Sequence, residues 1–415
     1  MNTLKIEGGY PLHGQVRVSG AKNAGLALMA ASILADGEVV LDNLPRIRDV
    51  EVMTEILNEI GVTTTWRLDG SLSIYAPEKN LKIKTPYELA KLLRASNLFL
   101  GAMLGRQREA VISLPGGCDI GSRPMDLHIK GVQALGSEVE IEHGYIHARA
   151  KNPKGASVYL DFPSVGATEN IIMMASKTPG ISIIENAAKE PEIVDLANFL
   201  NSMGAKIRGA GTDVIKIEGV SELKGGHYSI IPDRIEAGTF MIAAVITNGE
   251  ILVENVIPTH LNPVIAKLQE TGAIIENKET GLLVRPGKFI TPINIKTLPY
   301  PGFPTDMQSQ MMSLLCLAKG SSIIVENVFE NRFQIVDELK RMGAKVKVEG
   351  HTAVVEGVDH LYGAAVKATD LRAGAALILS ALSAHGVTTI EDAIHIFRGY
   401  EDIKEKLEGL GAKVL

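Results

Sequence analysis

The stretch MGAKVKVEGHTAVVEG, residues 342–357, contains the pattern that decides the fold. A hydrophobic helix end comes first, then Gly343, and then alternating apolar and polar residues that turn back at Gly350. Glycine directly after a helix commonly adopts the left-handed conformation that ends it, and an alternation of period two predicts strands. The stretch therefore predicts a glycine-capped helix that continues into a hairpin over Ala344 to Glu356.

The same pattern recurs six times along the chain. Its glycines stand 68 to 75 residues apart, at Gly61, Gly136, Gly204, Gly272, Gly343 and Gly411. Apolar strands end in an acidic residue followed by Asn or Asp in five of the six repeats, at Asp42-Asn43, Glu185-Asn186, Glu254-Asn255, Glu326-Asn327 and Glu391-Asp392. The second repeat has SLPGGC, residues 113–118, in that place. Repetition at a fixed period indicates copies of one structural unit. Each copy predicts a buried apolar helix, a strand, a loop, an amphipathic helix, the glycine and a hairpin.

The last repeat stops at Leu415, halfway through its hairpin, and Leu4 to Gly8 resembles the returning strand of the other hairpins. We therefore expect the amino-terminal strand to complete the final repeat. This predicts an α/β fold of two domains with three repeats each, one over residues 22–229 and a discontinuous one over 1–21 and 230–415. An open solenoid of repeats is the alternative, and the meeting of the chain ends argues against it.

Composition and charge exclude several classes of protein. The 415 residues carry a formal net charge of −6, so no basic surplus indicates a nucleic-acid partner. The apolar segments are shorter than the ~18 to 20 residues that a membrane span needs, and the alternating start of the chain does not resemble a signal peptide. Two cysteines, Cys118 and Cys316, cannot form a disulfide framework. We expect a cytoplasmic protein without a membrane span.

Four cations stand where buried helices are predicted to begin, at Lys22, Arg94, Arg234 and Arg372. A cation at a helix amino terminus opposes the helix dipole, whereas cations beside free backbone N–H groups favour binding of phosphate or carboxylate. With the helices parallel in both domains, these ends would face one interdomain cleft. The alternative is that each cation caps a carbonyl group or pairs with an acid of another repeat.

The loop LPGGCDIGSRP, residues 114–124, contains three glycines and two prolines and cannot be regular structure. Its Cys118 lies five residues from Arg123, an electropositive and accessible setting that favours a reactive thiolate. A surface cysteine without a role is the alternative. Cys316, inside the apolar run MSLLCLA, is by contrast predicted to be a small core residue.

Two further stretches place charge near helix starts. YPGFPTD, residues 300–306, brings the Asp306 carboxylate to a helix start, where a plain N-cap is the alternative role. FRGYE, residues 397–401, makes Arg398 either an anion clamp or an ordinary cap. No GxxxxGK[ST] phosphate loop, HExxH motif or cysteine metal pair occurs, so we expect neither a metal nor a cofactor.

Four of these stretches resemble the UDP-N-acetylglucosamine 1-carboxyvinyltransferase family: SGAKNA (residues 19–24), the loop from Gly117 through RPMDLH (123–128), PGFPTDMQ (301–308) and RGYE (398–401). The similarity runs from Gly8 to the carboxyl terminus in the family's order. It implies two inside-out α/β domains of three repeats, with the active site in the interdomain cleft. It also implies transfer of the enolpyruvyl group of phosphoenolpyruvate to the 3′-hydroxyl of UDP-N-acetylglucosamine with release of phosphate, the first committed step of bacterial peptidoglycan synthesis.

The resemblance also implies roles for individual residues. Cys118 would be the general acid and could form a covalent phosphoenolpyruvate adduct, and Asp306 would take the hydroxyl proton. Lys22, Arg123 and Arg398 would hold the phosphate and carboxylate of phosphoenolpyruvate. Asn23 would orient the intermediate, and Arg372 would assist. The nucleotide-sugar site would be lined by Arg94, Arg123, Pro124, Met125, Asp126, Leu127, Ser164, Val165, Gly166, Asp306 and Val328.

Two departures from the family pattern are present. Phe162 stands where some members carry a lysine near the nucleotide, and Asp119 follows the cysteine where a small residue is common. The related enzyme that makes 5-enolpyruvylshikimate 3-phosphate is a second candidate, but it should lack the loop cysteine. A non-catalytic UDP-sugar sensor on the same scaffold is a third, which intact Cys118, Lys22, Asp306 and Arg398 disfavour. The oligomeric state stays open.

Overall fold

The computed structural model describes residues 2–78, 81–114 and 124–415. These residues form two compact units. We call residues 20–114 and 124–231 the N lobe, and residues 2–19 with 232–415 the C lobe. The chain passes from one lobe to the other between residues 19 and 20 and between residues 231 and 232. The predicted domain boundaries, at 21/22 and 229/230, lie two residues away.

The described residues contain strands and helices that recur in the order buried helix, strand, outer helix and hairpin. The strands are β1 (Thr3–Glu7), β2 (His13–Arg17), β3 (Glu38–Asp42), β4 (Thr63–Trp66), β5 (Leu72–Tyr75), β6 (Glu109–Ser113), β7 (Glu138–Glu142), β8 (Tyr145–Arg149), β9 (Ser157–Tyr159), β10 (Ile181–Glu185), β11 (Lys206–Arg208), β12 (Val214–Glu218), β13 (Gly226–Ser229), β14 (Glu250–Glu254), β15 (Ile274–Asn277), β16 (Gly281–Arg285), β17 (Ile295–Lys296), β18 (Ser321–Val325), β19 (Lys345–Glu349), β20 (Thr352–Glu356), β21 (Ala365–Lys367), β22 (Val387–Glu391) and β23 (Lys413–Val414). The α-helices are α1 (Lys22–Ala31), α2 (Arg48–Glu59), α3 (Tyr87–Ala90), α4 (Phe99–Gln107), α5 (Asp126–Ala134), α6 (Val165–Ser176), α7 (Pro191–Ser202), α8 (Arg234–Ile246), α9 (Asn262–Glu270), α10 (Gln308–Leu315), α11 (Ile335–Arg341), α12 (Leu371–Ser383), α13 (Ile394–Phe397) and α14 (Ile403–Gly409). Short 3-10 helices cover Ser32–Leu34, Arg94–Leu98, Pro258–Leu261 and Thr305–Met307.

Each repeat builds one small mixed sheet. A central strand follows the buried helix, pairs in parallel with an edge strand and pairs antiparallel with a hairpin. The orders are β13-β3-β5-β4, β6-β8-β7 and β11-β12-β10-β9 in the N lobe, and β15-β16-β14-β2, β17-β18-β20-β19 and β21-β22-β1-β23 in the C lobe. The second sheet gains its parallel partner at a single bridge between Lys84 and Val111. The hairpin predicted over Ala344 to Glu356 is confirmed as β19 and β20, which pair from Lys345–Glu356 to Glu349–Thr352.

The amino-terminal strand completes the last repeat, as the sequence predicts. Strand β1 pairs antiparallel with β22, from Thr3–Glu391 to Glu7–Val387, and on its other side with β23 through Ile6 and Val414. It takes the place that the returning hairpin strand has in the other repeats. The six repeats therefore close as three per lobe, and the open solenoid is wrong.

Two edge strands are exchanged where the chain passes between the lobes. Strand β2 precedes α1 in sequence but pairs in parallel with β14, which follows α8. Strand β13 precedes α8 but pairs in parallel with β3, which follows α1. Each lobe therefore receives one strand from the segment that leads into the other lobe's first helix.

The buried helices form the centre of each lobe, α1, α4 and α6 in the N lobe and α8, α10 and α12 in the C lobe. Every residue from Ile235 to Ile246 of α8 is buried, as is every residue from Ala167 to Ser176 of α6. Burying a large aliphatic side chain contributes about 1.5–3 kcal/mol, so these helices carry much of the hydrophobic stabilisation. Close packing needs Gly101 of α4, because a Cβ there would lie 2.2 Å from the carbonyl oxygen of Asn170 on α6.

The structure shows why Asn follows the acidic residue at the end of three central strands. Asn43, Asn186 and Asn255 all have positive φ, a conformation that Asn tolerates better than most residues. Their side-chain amides donate to the carbonyl oxygens of Ile230, Leu160 and Val18, at 2.8, 2.7 and 2.7 Å. Each of these carbonyls lies just past the parallel edge strand. The amide thus ties the end of the central strand to the end of its neighbour.

The six repeat glycines all have positive φ, between 94° and 107°, which confirms them as left-handed helix caps. The structure gives a matched pair for testing this. Gly411 has φ +96° and Gly409, inside α14, has ordinary helical backbone, while neither has a heavy atom within 4 Å of a Cβ built on it.

We expect Gly411→Ala to destabilise the protein by about 1–2 kcal/mol, because only the backbone conformation penalises the added methyl group. Gly409→Ala should instead raise stability by up to about 1 kcal/mol, since alanine favours the helix. Thermal denaturation of both variants measures the difference. Equal melting temperatures would show that residue 411 does not require the left-handed conformation.

Within the described residues, no helix has both the length and the apolar character that crossing a membrane demands.

Candidate active site

In the N lobe, Lys22 opens α1 and contacts an acid that the sequence did not single out. Its Nζ lies 2.6 Å from Oδ2 of Asp49, whose side chain is almost fully buried in the first turn of α2. The N-cap residue of α1 is Ala21, which has no capping side chain. Lys22 is therefore fixed by a short ion pair at a helix amino terminus, with Asn23 as the next residue of the same turn.

A second group of predicted residues meets around His128 of α5. The amide nitrogen of Asn170, on α6, lies 2.8 Å from Nδ1 of His128 and 3.2 Å from the carbonyl oxygen of Gly166. Burial, helped by the positive charge of Arg94, lowers the pKa of His128 to about 4. The imidazole is consequently neutral at neutral pH. Because the Asn170 amide donates, Nδ1 accepts and the ring proton is assigned to Nε2.

His128 also brings the starts of α5 and α6 together. A Cβ on Gly166 would lie 2.9 Å from Cε1 of His128, so the ring packs directly against the first turn of α6. Ser164 caps that helix by accepting from the Ala167 N–H at 3.3 Å. Asp126 and Leu127, in the first turn of α5, are thus held near Ser164, Val165 and Gly166.

Two other predicted residues of the N lobe frame this group. Met125 is buried, and its sulfur lies 3.7 Å from the side-chain amide nitrogen of Asn97. Arg94 opens the 3-10 helix that contains Asn97, and Pro124 directly precedes Met125. Phe162, one of the departures from the family pattern, is 44% exposed.

In the C lobe, two guanidinium groups hold Asp306. Arg332 Nη2 donates to Oδ1 at 3.0 Å and Arg372 Nη2 donates to Oδ2 at 2.8 Å. The two arginine side chains are 2% and 6% exposed, and the Asp306 side chain is 26% exposed. Charge-assisted hydrogen bonds on both oxygens fix the carboxylate while leaving it partly accessible.

Asp306 is not an N-cap residue, so the alternative role that the sequence allowed for it is wrong. The N-cap residue of the 3-10 helix is Pro304 and that of α10 is Met307, so Asp306 occupies neither position. Burial alone would lower the pKa of Arg372, but Asp306, through its charge and its hydrogen bond, together with Tyr400 and Asp233 outweighs that effect, so the pKa is raised. Arg372 thus pairs with an acid of another repeat, as the alternative for the helix-start cations states, whereas Lys22 pairs with Asp49 inside its own repeat.

Glu326 fixes Val328 and the residue before Asp306. Its Oε1 accepts from the Val328 N–H at 2.8 Å and from the Thr297 hydroxyl at 2.7 Å, while Oε2 accepts from the Thr305 hydroxyl at 3.0 Å. The Glu326 carboxylate is buried, so these hydrogen bonds replace its hydration. The loop with Val328 and the start of the Asp306 segment are therefore held by one side chain.

Arg398 is the C-cap residue of α13, and its N–H bonds to the carbonyl oxygen of Ile394 at 3.2 Å. The buried side chain of Tyr400 lies two residues further on. Cys118 and Arg123 lie outside the described residues. Cys316 is fully buried, as predicted, and burial raises the pKa of its thiol to about 12.

Sequence reasoning missed Asp49 and Arg332. A signal for Arg332 exists in the repeats, because a cation follows the acidic-Asn or acidic-Asp pair by five or six residues in three of them. Arg48 follows Asn43, Arg332 follows Asn327 and Arg398 follows Asp392. Asp49 carries no such signal, since it is only an acid in the first turn of an amphipathic helix. Among the described residues, no group of three or more His, Cys, Asp or Glu could hold a metal ion.

Comparison with known proteins shows the class of enzyme to which this fold belongs. The profile of the EPSP synthase family (3-phosphoshikimate 1-carboxyvinyltransferase) matches residues 6–407. The crystal structure of the enolpyruvyl transferase NikO from Streptomyces tendae superposes with a TM-score of 0.89 at 25% identity, covering 100% of this chain and 98% of that one. The chain therefore has the fold of the carboxyvinyl transferases and belongs to the EPSP synthase family.

The sequence relatives define the family more closely. UDP-N-acetylglucosamine 1-carboxyvinyltransferase 1 of Caldanaerobacter subterraneus subsp. tengcongensis is 57% identical over 99% of this chain and 98% of its own length. UDP-N-acetylglucosamine 1-carboxyvinyltransferase 2 of Carboxydothermus hydrogenoformans is 56% identical over 100% of this chain and 99% of its own. The chain belongs to the UDP-N-acetylglucosamine 1-carboxyvinyltransferase family.

Proposed function

We propose that this chain transfers the enolpyruvyl group of phosphoenolpyruvate to the 3′-hydroxyl of UDP-N-acetylglucosamine and releases phosphate, the first committed step of peptidoglycan synthesis. The observation that carries the proposal is the Asp306 carboxylate, fixed at 3.0 and 2.8 Å by Arg332 and Arg372 on a lobe of the transferase fold. Full-length relatives at 51–57% identity support the choice of the nucleotide sugar as the acceptor.

The reaction is an addition followed by an elimination. In the addition, the sugar hydroxyl oxygen bonds to C2 of phosphoenolpyruvate, Cys118 gives a proton to C3, and Asp306 takes the hydroxyl proton. In the elimination, the Cys118 thiolate takes a proton from the new methyl group, the bond from C2 to the phosphate oxygen breaks, and the phosphate leaves with the proton that Asp306 had taken. This restores the double bond and returns both side chains to their starting states. The products are enolpyruvyl-UDP-N-acetylglucosamine and phosphate.

Cations offset the negative charge of the substrates and the intermediate. Lys22, Arg123 and Arg398 hold the phosphate and carboxylate of phosphoenolpyruvate, with Asn23 orienting the intermediate and Arg372 assisting. The Lys22–Asp49 distance of 2.6 Å supports a fixed position for one of these cations, because a buried ion pair restricts the long side chain. Preorganised charge of this kind needs no rearrangement as the ketal forms.

The nucleotide sugar binds to the residues around His128 and to the Asp306 segment. Ser164, Val165 and Gly166 offer the amino terminus of α6, where backbone N–H groups suit a diphosphate. Arg94, Arg123 and Pro124 to Leu127 complete this set, and Val328 belongs with Asp306. We further propose residues 22–229, and 1–21 with 230–415, as the functional domains, each of which supplies part of the set.

Phosphate release from phosphoenolpyruvate tests the proposal. We expect the purified protein to release phosphate when UDP-N-acetylglucosamine is added and not when shikimate 3-phosphate is added. The reason is that the sequence motifs resemble those of the UDP-N-acetylglucosamine 1-carboxyvinyltransferase family. Release with shikimate 3-phosphate alone would establish the second candidate instead. Binding of the nucleotide sugar without release from phosphoenolpyruvate would indicate the non-catalytic sensor.

A further inference from the structure

Tyr400 is a buried phenol that the proposed reaction does not use. It lies between α13 and α14, is 2% exposed, and its side chain contacts residues of all three buried helices of the C lobe. Thr239 Oγ1 on α8 is 3.0 Å away and Gln310 Nε2 on α10 lies at a longer 3.5 Å. The guanidinium of Arg372 on α12 lies beside the phenol, with its central carbon 5.9 Å from the ring centroid.

The direction of these hydrogen bonds can be assigned. The Thr239 hydroxyl donates its one proton to the carbonyl oxygen of Ile235, at 2.8 Å. Thr239 must therefore accept from Tyr400, which spends the phenol's only proton. Burial raises the pKa of Tyr400, so this proton stays in place at neutral pH. The phenol oxygen then accepts from Gln310, and the positive charge of Arg372 lies close to the phenol.

Both of these side chains also hold Asp306. Arg372 Nη2 donates to the Asp306 carboxylate at 2.8 Å, and Gln310 Nε2 donates to the Asp306 main-chain carbonyl oxygen at 2.9 Å. We propose that Tyr400 is a positioning residue for Asp306, orienting its carboxylate through Arg372 and its main chain through Gln310. The proposal rests on the proposed function, in which Asp306 accepts the proton of the sugar hydroxyl.

The other end of the Gln310 side chain supports a positioning role. Its Oε1 is buried and has no hydrogen-bond partner among the described residues. A buried acceptor without a partner costs about 1–3 kcal/mol, so an apolar side chain of similar length would stabilise this position. Gln310 therefore lowers stability through its Oε1, while its amide nitrogen holds the main chain of Asp306.

Two variants test the proposal against a purely structural role. Tyr400→Phe keeps the ring and removes the hydroxyl, and Gln310→Met keeps the length and removes the amide. We expect each to lower kcat about tenfold and to change KM for both substrates by less than about twofold, because Asp306 is displaced only slightly. The melting temperature of Gln310→Met should equal or exceed that of the wild type, whereas a structural role predicts a lower one.

Ser313→Ala is the matched control for loss of a buried hydroxyl. Ser313 lies on α10, where its hydroxyl donates to the Ala376 carbonyl oxygen of α12 at 2.9 Å and accepts from the Ser380 hydroxyl at 2.9 Å, and neither of these hydrogen bonds involves Asp306. Its kcat should stay within about twofold of the wild type. Fosfomycin, an epoxide that alkylates the matching cysteine of this family, provides a second control. Opening of the epoxide by the Cys118 thiol does not need the sugar hydroxyl to lose a proton.

The outcomes separate this proposal from the proposed function. Wild-type phosphate release with UDP-N-acetylglucosamine is measured first, and its absence would overturn the proposed function. With that activity present, a Tyr400→Phe kcat close to that of the wild type would overturn the positioning role. A fosfomycin inactivation rate that falls as much as kcat would also overturn it, because the variant would then have disturbed the site as a whole.

Discussion

Cys118→Ala is expected to lower kcat at neutral pH by about 10²-fold or more, because the variant removes the proposed proton donor to C3 of phosphoenolpyruvate. The loss should appear in kcat rather than in KM for the nucleotide sugar, since the thiol is proposed to act on the reacting carbon. Steady-state phosphate release over a range of both substrate concentrations measures it.

Cys316→Ala is the matched control, because the chain has only these two cysteines. The Cys316 side chain is fully buried in the C lobe core, and its raised pKa keeps it a thiol. The substitution should cost some stability through a small cavity and leave kcat unchanged. Fosfomycin should inactivate the wild type and Cys316→Ala but not alkylate Cys118→Ala. Equal losses of activity in the two variants would show that the reactive thiol is misassigned.

Asp306→Asn is the second variant with a large expected effect. The amide keeps the size of the side chain but cannot accept a proton at neutral pH, and its NH₂ group faces one of the two guanidinium groups. We expect kcat to fall by about 10²- to 10⁴-fold, the range that a positioned general base contributes. The same phosphate-release assay measures the change.

Asp359→Asn provides the comparison for Asp306, because Asp359 is an exposed aspartate of the same lobe. It should retain the wild-type kcat and melting temperature, since a surface substitution away from other features usually changes the free energy of unfolding by less than about 0.5 kcal/mol. If Asp306→Asn kept most of its kcat, the proton would have another acceptor, and the proposed role of the carboxylate would be wrong.

The fold could be predicted from the sequence because its signals are local and repeated. Six glycines at one interval required left-handed caps, and the structure gives all six positive φ. Leu4 to Gly8 resembled a returning hairpin strand, and β1 pairs as one. The exchange of β2 and β13 left no such signal, because parallel pairing between distant strands depends on tertiary packing rather than on a local pattern.

The candidate site was harder to predict because its contacts join residues distant in sequence. Asp306 was singled out as a carboxylate at a helix start, but nothing near it in the chain pointed to Arg332. The sequence pattern around Asp49 is that of an ordinary acid in an amphipathic helix and does not indicate its ion pair with Lys22. Tyr400 stands out only as a neighbour of Arg398 in the RGYE motif. The repeat itself was the unused signal for Arg332. The roles of Cys118 and Arg123 stay predictions, because both lie outside the described residues.

The central claim is that this chain joins an enolpyruvyl group to the 3′-oxygen of UDP-N-acetylglucosamine. Nuclear magnetic resonance of the product formed from ¹³C-labelled phosphoenolpyruvate and the nucleotide sugar tests it most directly. The account predicts a labelled vinyl ether whose carbon couples across oxygen to the 3′ position of the sugar, with one phosphate released per product. Labelled pyruvate and unchanged UDP-N-acetylglucosamine, or a vinyl ether at another hydroxyl, would contradict it.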